Sequence, residues 1–325
     1  MKVWQRNGIL LVALLAFGAT RFPLEKSLGD QLREAGLAPS PLEIGTRDKI
    51  GQTSSAVALG GLRTLVATFL NLRAFSFFQE QRWDDVSDTF EMIVDLAPRT
   101  RYYWETGSWH SAYNAASYYI NKSDMPHLRR REAWRAAIYR GRTFLERGIR
   151  NNPGDWNLLS TLGFMLTDPN KFPAFRDANA SFAAAADAYQ KAVDTGSAPA
   201  FVKRAQFYAL ARVKGREKDA LALARALYAD PKNRLPTLQV LLLVLEAHEN
   251  SELDAAKLAV ELFGTPERAL EALSGHWQRT REQFPVDGVA SALESLEKTL
   301  SVPTEKSILN NPLQFPNGPD QWFAK

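Results

Sequence analysis

Residues 65–98 read LVATFLNLRAFSFFQEQRWDDVSDTFEMIVDLAP, and their spacing decides the fold. In Leu70-x2-Arg73-Ala74-x2-Phe77 the apolar residues recur at three- and four-residue intervals, which places them on one helical face. Gln81-Arg82 interrupts that period. Val86-x3-Phe90 restarts it on a second helix, which Pro98 closes eight residues after the phenylalanine. Two helices joined by a turn cannot bury both apolar faces alone, so further copies have to stack on them.

Further copies follow. Tyr102-Tyr103-Trp104 opens a helix to about Ile120, and its partner runs from about Glu132 to Arg150, with Gly141-x3-Leu145 and then Pro153. Leu159-x2-Leu162-Gly163-x2-Leu166 and Ala185-x3-Tyr189 form a third pair. A fourth turns at Lys214-Gly215-Arg216 and carries Ala220 and Leu223 before Asp230-Pro231. A fifth covers Pro236 to Ala247 and Glu252 to Phe263. Thr265-Pro266-Glu267 then supplies an N-cap, a proline at the first helical position and an acid at the positive helix end. That helix and one from about Asp287 to Leu300 are expected to cap the stack. No period-2 pattern marks a strand.

The closing positions Pro98, Pro153, Ser197 and Pro231 are 55, 44 and 34 residues apart. This pattern resembles the tetratricopeptide repeat (TPR), a helix–turn–helix unit of about 34 residues. The resemblance covers about residues 60–280 and implies an all-α, right-handed TPR-like superhelix whose inner groove binds other chains. The chain also resembles bacterial repeat proteins anchored to a membrane at the N-terminus. The extra length of the earlier units falls near Asn121–Arg131 and Thr167–Asp177, where insertions emerge along one edge of such a stack.

Upstream, Lys2 and Arg6 precede the apolar run Gly8–Ala19, the order of a secretory signal with its cations on the cytoplasmic side. Ala16-Phe17-Gly18 offers a cleavage site, whereas Arg21 fits a retained short anchor, and both readings stay open. The expected organisation is a signal or anchor helix over 1–20, with membrane contact through 8–20, and a spacer over 21–58. A helical repeat domain follows over 59–300, and a Pro-rich tail over 301–325. The spacer is broken by Ala38-Pro39-Ser40-Pro41, and the tail offers Phe315, Trp322 or Phe323 to the body. The expected location is a bacterial inner membrane with a periplasmic repeat domain, or secretion if the signal is cleaved.

The 325-residue chain has a formal charge of +4 and no cysteine, which excludes disulfides, thiol nucleophiles and thiolate metal sites. So mild a basic excess, on an exported protein, does not point to nucleic acid. His110, His127, His248 and His276 are too scattered for a metal site, and no Gly-rich phosphate loop or nucleophile elbow occurs. No cofactor is expected.

Two helices supply candidate binding residues. At 100° per residue, His110, Asn114 and Ser117 form a polar stripe beside the aromatic face of Trp104. Arg129–Arg150 carries eight arginines against Glu132 and Glu146, with Arg131, Arg135 and Arg142 on one flank of its apolar face. The groove is therefore expected to use Trp104, His110, Asn114 and Ser117, with Arg131, Arg135 and Arg142 as electrostatic support. Known TPR modules that capture a C-terminal carboxylate use cations on successive first helices; Asn71, Phe75, Ser160 and Phe164 stand at the equivalent positions. The expected function is a non-enzymatic, membrane-tethered scaffold binding a partner peptide or helix within an envelope or transport complex. The alternatives are a helical hydrolase of envelope glycans, with Glu105 beside Trp104 as one carboxylate, or a spacer without a specific ligand.

Overall fold

A computed structural model describes residues 63–121 and 124–310, with scattered positions between 4 and 31. The described residues are all helix and turn, without a strand, and hold thirteen α-helices between Arg63 and Thr299. The described positions of the 1–20 segment are helical; its other residues, nearly all of the spacer 21–58 and tail residues 311–325 lie outside the description. Among the described residues no helix is long and apolar enough to cross a membrane. Within the span read as one repeat domain, the chain forms two compact units, Met1–Tyr119 with Ala136–Pro153 and Ile120–Arg135 with Gly154–Lys325.

The first unit holds α1 (Arg63–Gln79), α2 (Trp83–Leu96), α3 (Arg101–Trp109), a π-helical stretch (His110–Ala115), most of α4 (Ala116–Asn121) and the latter part of α5 (His127–Asn151). Gln81, at φ 58°, turns α1 into α2. Ala67 and Ala74 are buried on α1, and Val86, Phe90, Ile93 and Val94 are buried on α2. Trp104 packs its ring 4.8 Å from Phe144 and donates its indole N–H to the Pro98 carbonyl at 2.8 Å. Gly141 of α5 has no room for a side chain: a Cβ there would stand 2.8 Å from the Ser108 carbonyl oxygen and 2.9 Å from the Ala112 amide. Arg140 pairs with Asp84 at 2.9 Å and Arg147 with Glu91 at 2.5 Å. Both bonds span 56 residues, so α2 and this part of α5 run parallel, side by side.

Helix α5 begins at His127, five residues before the start read from the sequence. Pro126 sits where its missing N–H costs nothing, and its carbonyl accepts from Arg130 at 3.0 Å.

The second unit contains α6 (Trp156–Thr167), α7 (Ala178–Asp194), α8 (Ala200–Leu210), α9 (Glu217–Tyr228), α10 (Pro236–Glu249), α11 (Ala255–Phe263), α12 (Pro266–Thr280) and α13 (Val289–Thr299). Side chains cap several of these helices. Asp155 accepts from Asn157 N at 2.9 Å, Asp177 from Ala180 N at 3.1 Å, Asp254 from Lys257 N at 2.9 Å and Thr265 from Arg268 N at 3.3 Å. The insertion near Thr167–Asp177 tucks inward rather than standing out from an edge. Lys171, Ala174 and Phe175 are buried, and the Phe172 ring meets Phe182 edge-on at 5.0 Å. Residues Leu238 to Leu245 of α10 are all buried, as in a helix surrounded by neighbours. Val244, Ala259, Leu273, Val289 and Leu293 join in an aliphatic core over α10–α13. In the last turn of α13, buried Glu297 accepts from the Ser307 hydroxyl and the Ile308 amide, each at 2.7 Å, and holds the chain that follows against the helices.

Candidate binding face

Helix α1 is apolar on opposite sides. Ala67 and Ala74 are buried, whereas Leu65, Phe69 and Leu72 are 45%, 62% and 60% exposed. Counting 100° per residue from Ala67, these three side chains lie within about 40° of the direction opposite the packed alanines. Phe75, 58% exposed, flanks them and stacks on Phe78 at 6.3 Å. The spacing 65, 69, 72 is that of one seam of a helix–helix contact. Arg63 and Arg73 are the helix's only charges.

Phe78 links this face to the π-helical stretch, its ring 5.0 Å from His110. Phe90 covers His110 at 5.5 Å, and burial holds the imidazole below the ordinary histidine value, so it is neutral at pH 7. Asn114 Nδ2 donates to His110 Nδ1 at 2.9 Å, which leaves the ring proton on Nε2. The neighbouring Trp109 is half exposed and stacks on Tyr113 at 4.0 Å with an interplanar angle of 10°.

The residues read from helical phase divide accordingly. His110 and Asn114 come together as a hydrogen-bonded pair. Ser117 is exposed on α4. Trp104 is a correction: at 1% exposure it belongs to the core against Phe144 and Gly148 and has no surface to offer a partner. For the same reason it provides no sugar platform beside Glu105, whose carboxylate lies 3.5 Å from Arg101. Arg142 is engaged within its own helix by Glu146 at 2.8 Å. Arg131 and Arg135 belong to the second unit. Among the described residues no three His, Asp or Glu side chains converge to hold a metal.

No family model matches this chain, and no curated protein matches it. Its function has to be read from its own side chains.

Two features escaped the sequence reading. One is the outer face of α1, because a helix apolar on two opposite sides gives a periodicity argument little net direction. The other is the π-helical stretch. Its signal is nevertheless present: the buried pairs Tyr103-Trp104, Gly107-Ser108, Ser111-Ala112 and Ala115-Ala116 recur every four residues. A straight α-helix would carry such pairs round by about 40° per repeat. The wider i→i+5 turn takes up that drift and keeps all four pairs facing inward.

Proposed function

We infer that this protein is a non-enzymatic scaffold that captures a partner helix on the outer face of α1. The observation that carries this reading is the exposed seam Leu65–Phe69–Leu72 opposite the packed alanine side. An apolar face of that kind on a folded unit marks an interaction site, and its four-and-three spacing suits another helix rather than an extended peptide. Since α1 carries two arginines and no acid, the fitting partner is an amphipathic helix with acids beside its apolar stripe. His110, paired with Asn114, lies against the Phe78 ring at the end of this face and extends the contact.

The reading includes a TPR-like superhelical stack, supported in the first unit by the parallel course of α2 and α5, as equivalent helices of successive repeats require. It also includes tethering through residues 8–20 on the extracytoplasmic side of a bacterial inner membrane, resting on Lys2, Arg6 and the apolar run after them. In that setting the partner is a component of an envelope or transport complex.

The test is co-purification of the membrane-expressed full chain beside a Phe69→Glu, Leu72→Glu variant. Both substituted positions are exposed, so the variant is expected to melt as the wild type does. The expected result is a stoichiometric partner held by the wild type and lost from the variant. A partner retained equally by the two proteins would contradict the assignment.

A further inference from the structure

The second unit contains a cleft of about 510 Å³ whose lining includes Arg212, Lys214, Phe182, Leu245 and Phe284. Arg212 is sandwiched between two rings, 4.9 Å from the Phe182 centroid and 3.9 Å from that of Phe284. One Nη donates to the Thr167 carbonyl at 3.2 Å, while Nε is buried without an acceptor. Among the described residues no carboxylate pairs with this cation. Burial lowers its pKa to about 10, which still leaves it charged at neutral pH.

Other arginines of this unit have acids: Arg216 pairs with Asp187 and Asp219, and Arg225 with Glu246. A desolvated guanidinium without a counter-ion is costly unless an anion completes it. The acids around the cleft are otherwise disposed. Glu217 accepts from the Gly215 amide at 2.8 Å, and Asp287 lies 3.5 Å from His248. Glu282 is exposed at the lining.

We propose that this cleft binds a small organic monocarboxylate, with its carboxylate on Arg212 and its apolar body against Phe284, Phe182 and Leu245. The volume is that of a small-molecule site, and a charged guanidinium attracts a carboxylate. Glu217, Glu282 and Asp287 outnumber Lys214 on the lining and repel a second negative charge, which disfavours a phosphate dianion in the same place. The site lies within the second unit and is independent of the α1 seam.

The test is isothermal titration of the full chain with hexanoate and 3-phenylpropionate. Hexanol serves as the neutral comparator and hexyl phosphate as the dianionic one. One or both carboxylates are expected to bind, hexanol and hexyl phosphate to bind at least about tenfold more weakly, and Arg212→Met to lose at least about tenfold in carboxylate affinity. Because methionine replaces an unpaired buried charge with an apolar chain, the unliganded variant is expected to melt no lower than the wild type. Glu282→Lys should narrow the preference against hexyl phosphate while leaving a folded protein. Failure of both carboxylates to bind, equal binding of hexanol, or tighter binding of hexyl phosphate to the wild type would overturn the proposal. So would a large loss of thermal stability in Arg212→Met, which would make the guanidinium a structural clamp between the two rings.

Discussion

The two units solve the same problem, stacking helices, with different chemistry. The first uses rings and ion pairs: Trp104, Phe90 and Phe144 fill its interior, and Arg140 and Arg147 reach Asp84 and Glu91 on a parallel helix. The residues before α2 and α3, Arg82 and Thr100, make no side-chain cap. The second has ion pairs and ring contacts too, such as Arg225–Glu246 and Phe172–Phe182, but adds side-chain caps on four helices and an aliphatic core of Leu, Val and Ala over α10–α13. Their unfinished business also differs. The first leaves an apolar helix face outside, whereas the second leaves a cation without an acid in a cleft. Local capping fixes the ends of helices without help from neighbours, while rings and cross-helix ion pairs depend on having the neighbour in place.

The largest effect should come from Trp104→Ala. Deleting a fully buried indole costs about 3–5 kcal/mol, against about 2–5 kcal/mol for Leu273→Ala, a smaller side chain in the aliphatic core of the second unit. Denaturant unfolding of the two variants would measure both losses. A Trp104 variant less affected than the Leu273 variant would break the contrast between a ring-dependent and an aliphatic core.

Next come two glycines. An alanine Cβ at Gly141 meets the backbone of Ser108 and Ala112, which cannot yield without moving a helix; at Gly163 it meets the Tyr189 ring at 2.6 Å, and a ring can turn. Gly141→Ala is therefore expected to lose about 1–3 kcal/mol, and Gly163→Ala less. Equal losses would mean that the Tyr189 ring is as fixed as the backbone.

The smallest effect is on pH dependence, where each unit contributes one desolvated histidine, His110 partly buried and His276 buried. Burial lowers both His110 and His276, and for His276 a hydrogen bond to the Pro285 carbonyl opposes the shift. With folded-state values below the unfolded one, the unfolded chain takes up protons first as pH falls. Their stabilisation is complete above about pH 6.5 and is lost as pH drops through the folded values. Melting temperature should therefore decline from about pH 6.5 toward pH 5, and His110→Gln and His276→Gln should each flatten part of that decline. A profile unchanged in either variant would remove that histidine from the account.

Much of this was legible in the sequence where the chemistry is local. Thr265-Pro266-Glu267 spells a helix start, and Thr265 caps α12; Lys214-Gly215-Arg216 spells a turn, and Gly215 has φ 89°. The helical class and the α1–α2 turn near Gln81 followed from spacing alone. Trp104 was misplaced because phase tells which residues share a face, not whether that face meets solvent or another helix. The cleft was invisible for a different reason. Thr167, Phe182, Arg212 and Phe284 come from separate elements, and no periodicity links positions so far apart in sequence.

The measurement that bears most directly on the central claim is photo-crosslinking from position 69, with a benzophenone side chain replacing Phe69 in the membrane-expressed full chain. The account predicts one dominant adduct, on a partner segment whose apolar residues repeat at three- and four-residue intervals between acids. It also predicts that Leu72→Glu abolishes this adduct. Adducts with lipid alone, with unrelated segments, or with none would contradict a helix-binding seam on α1.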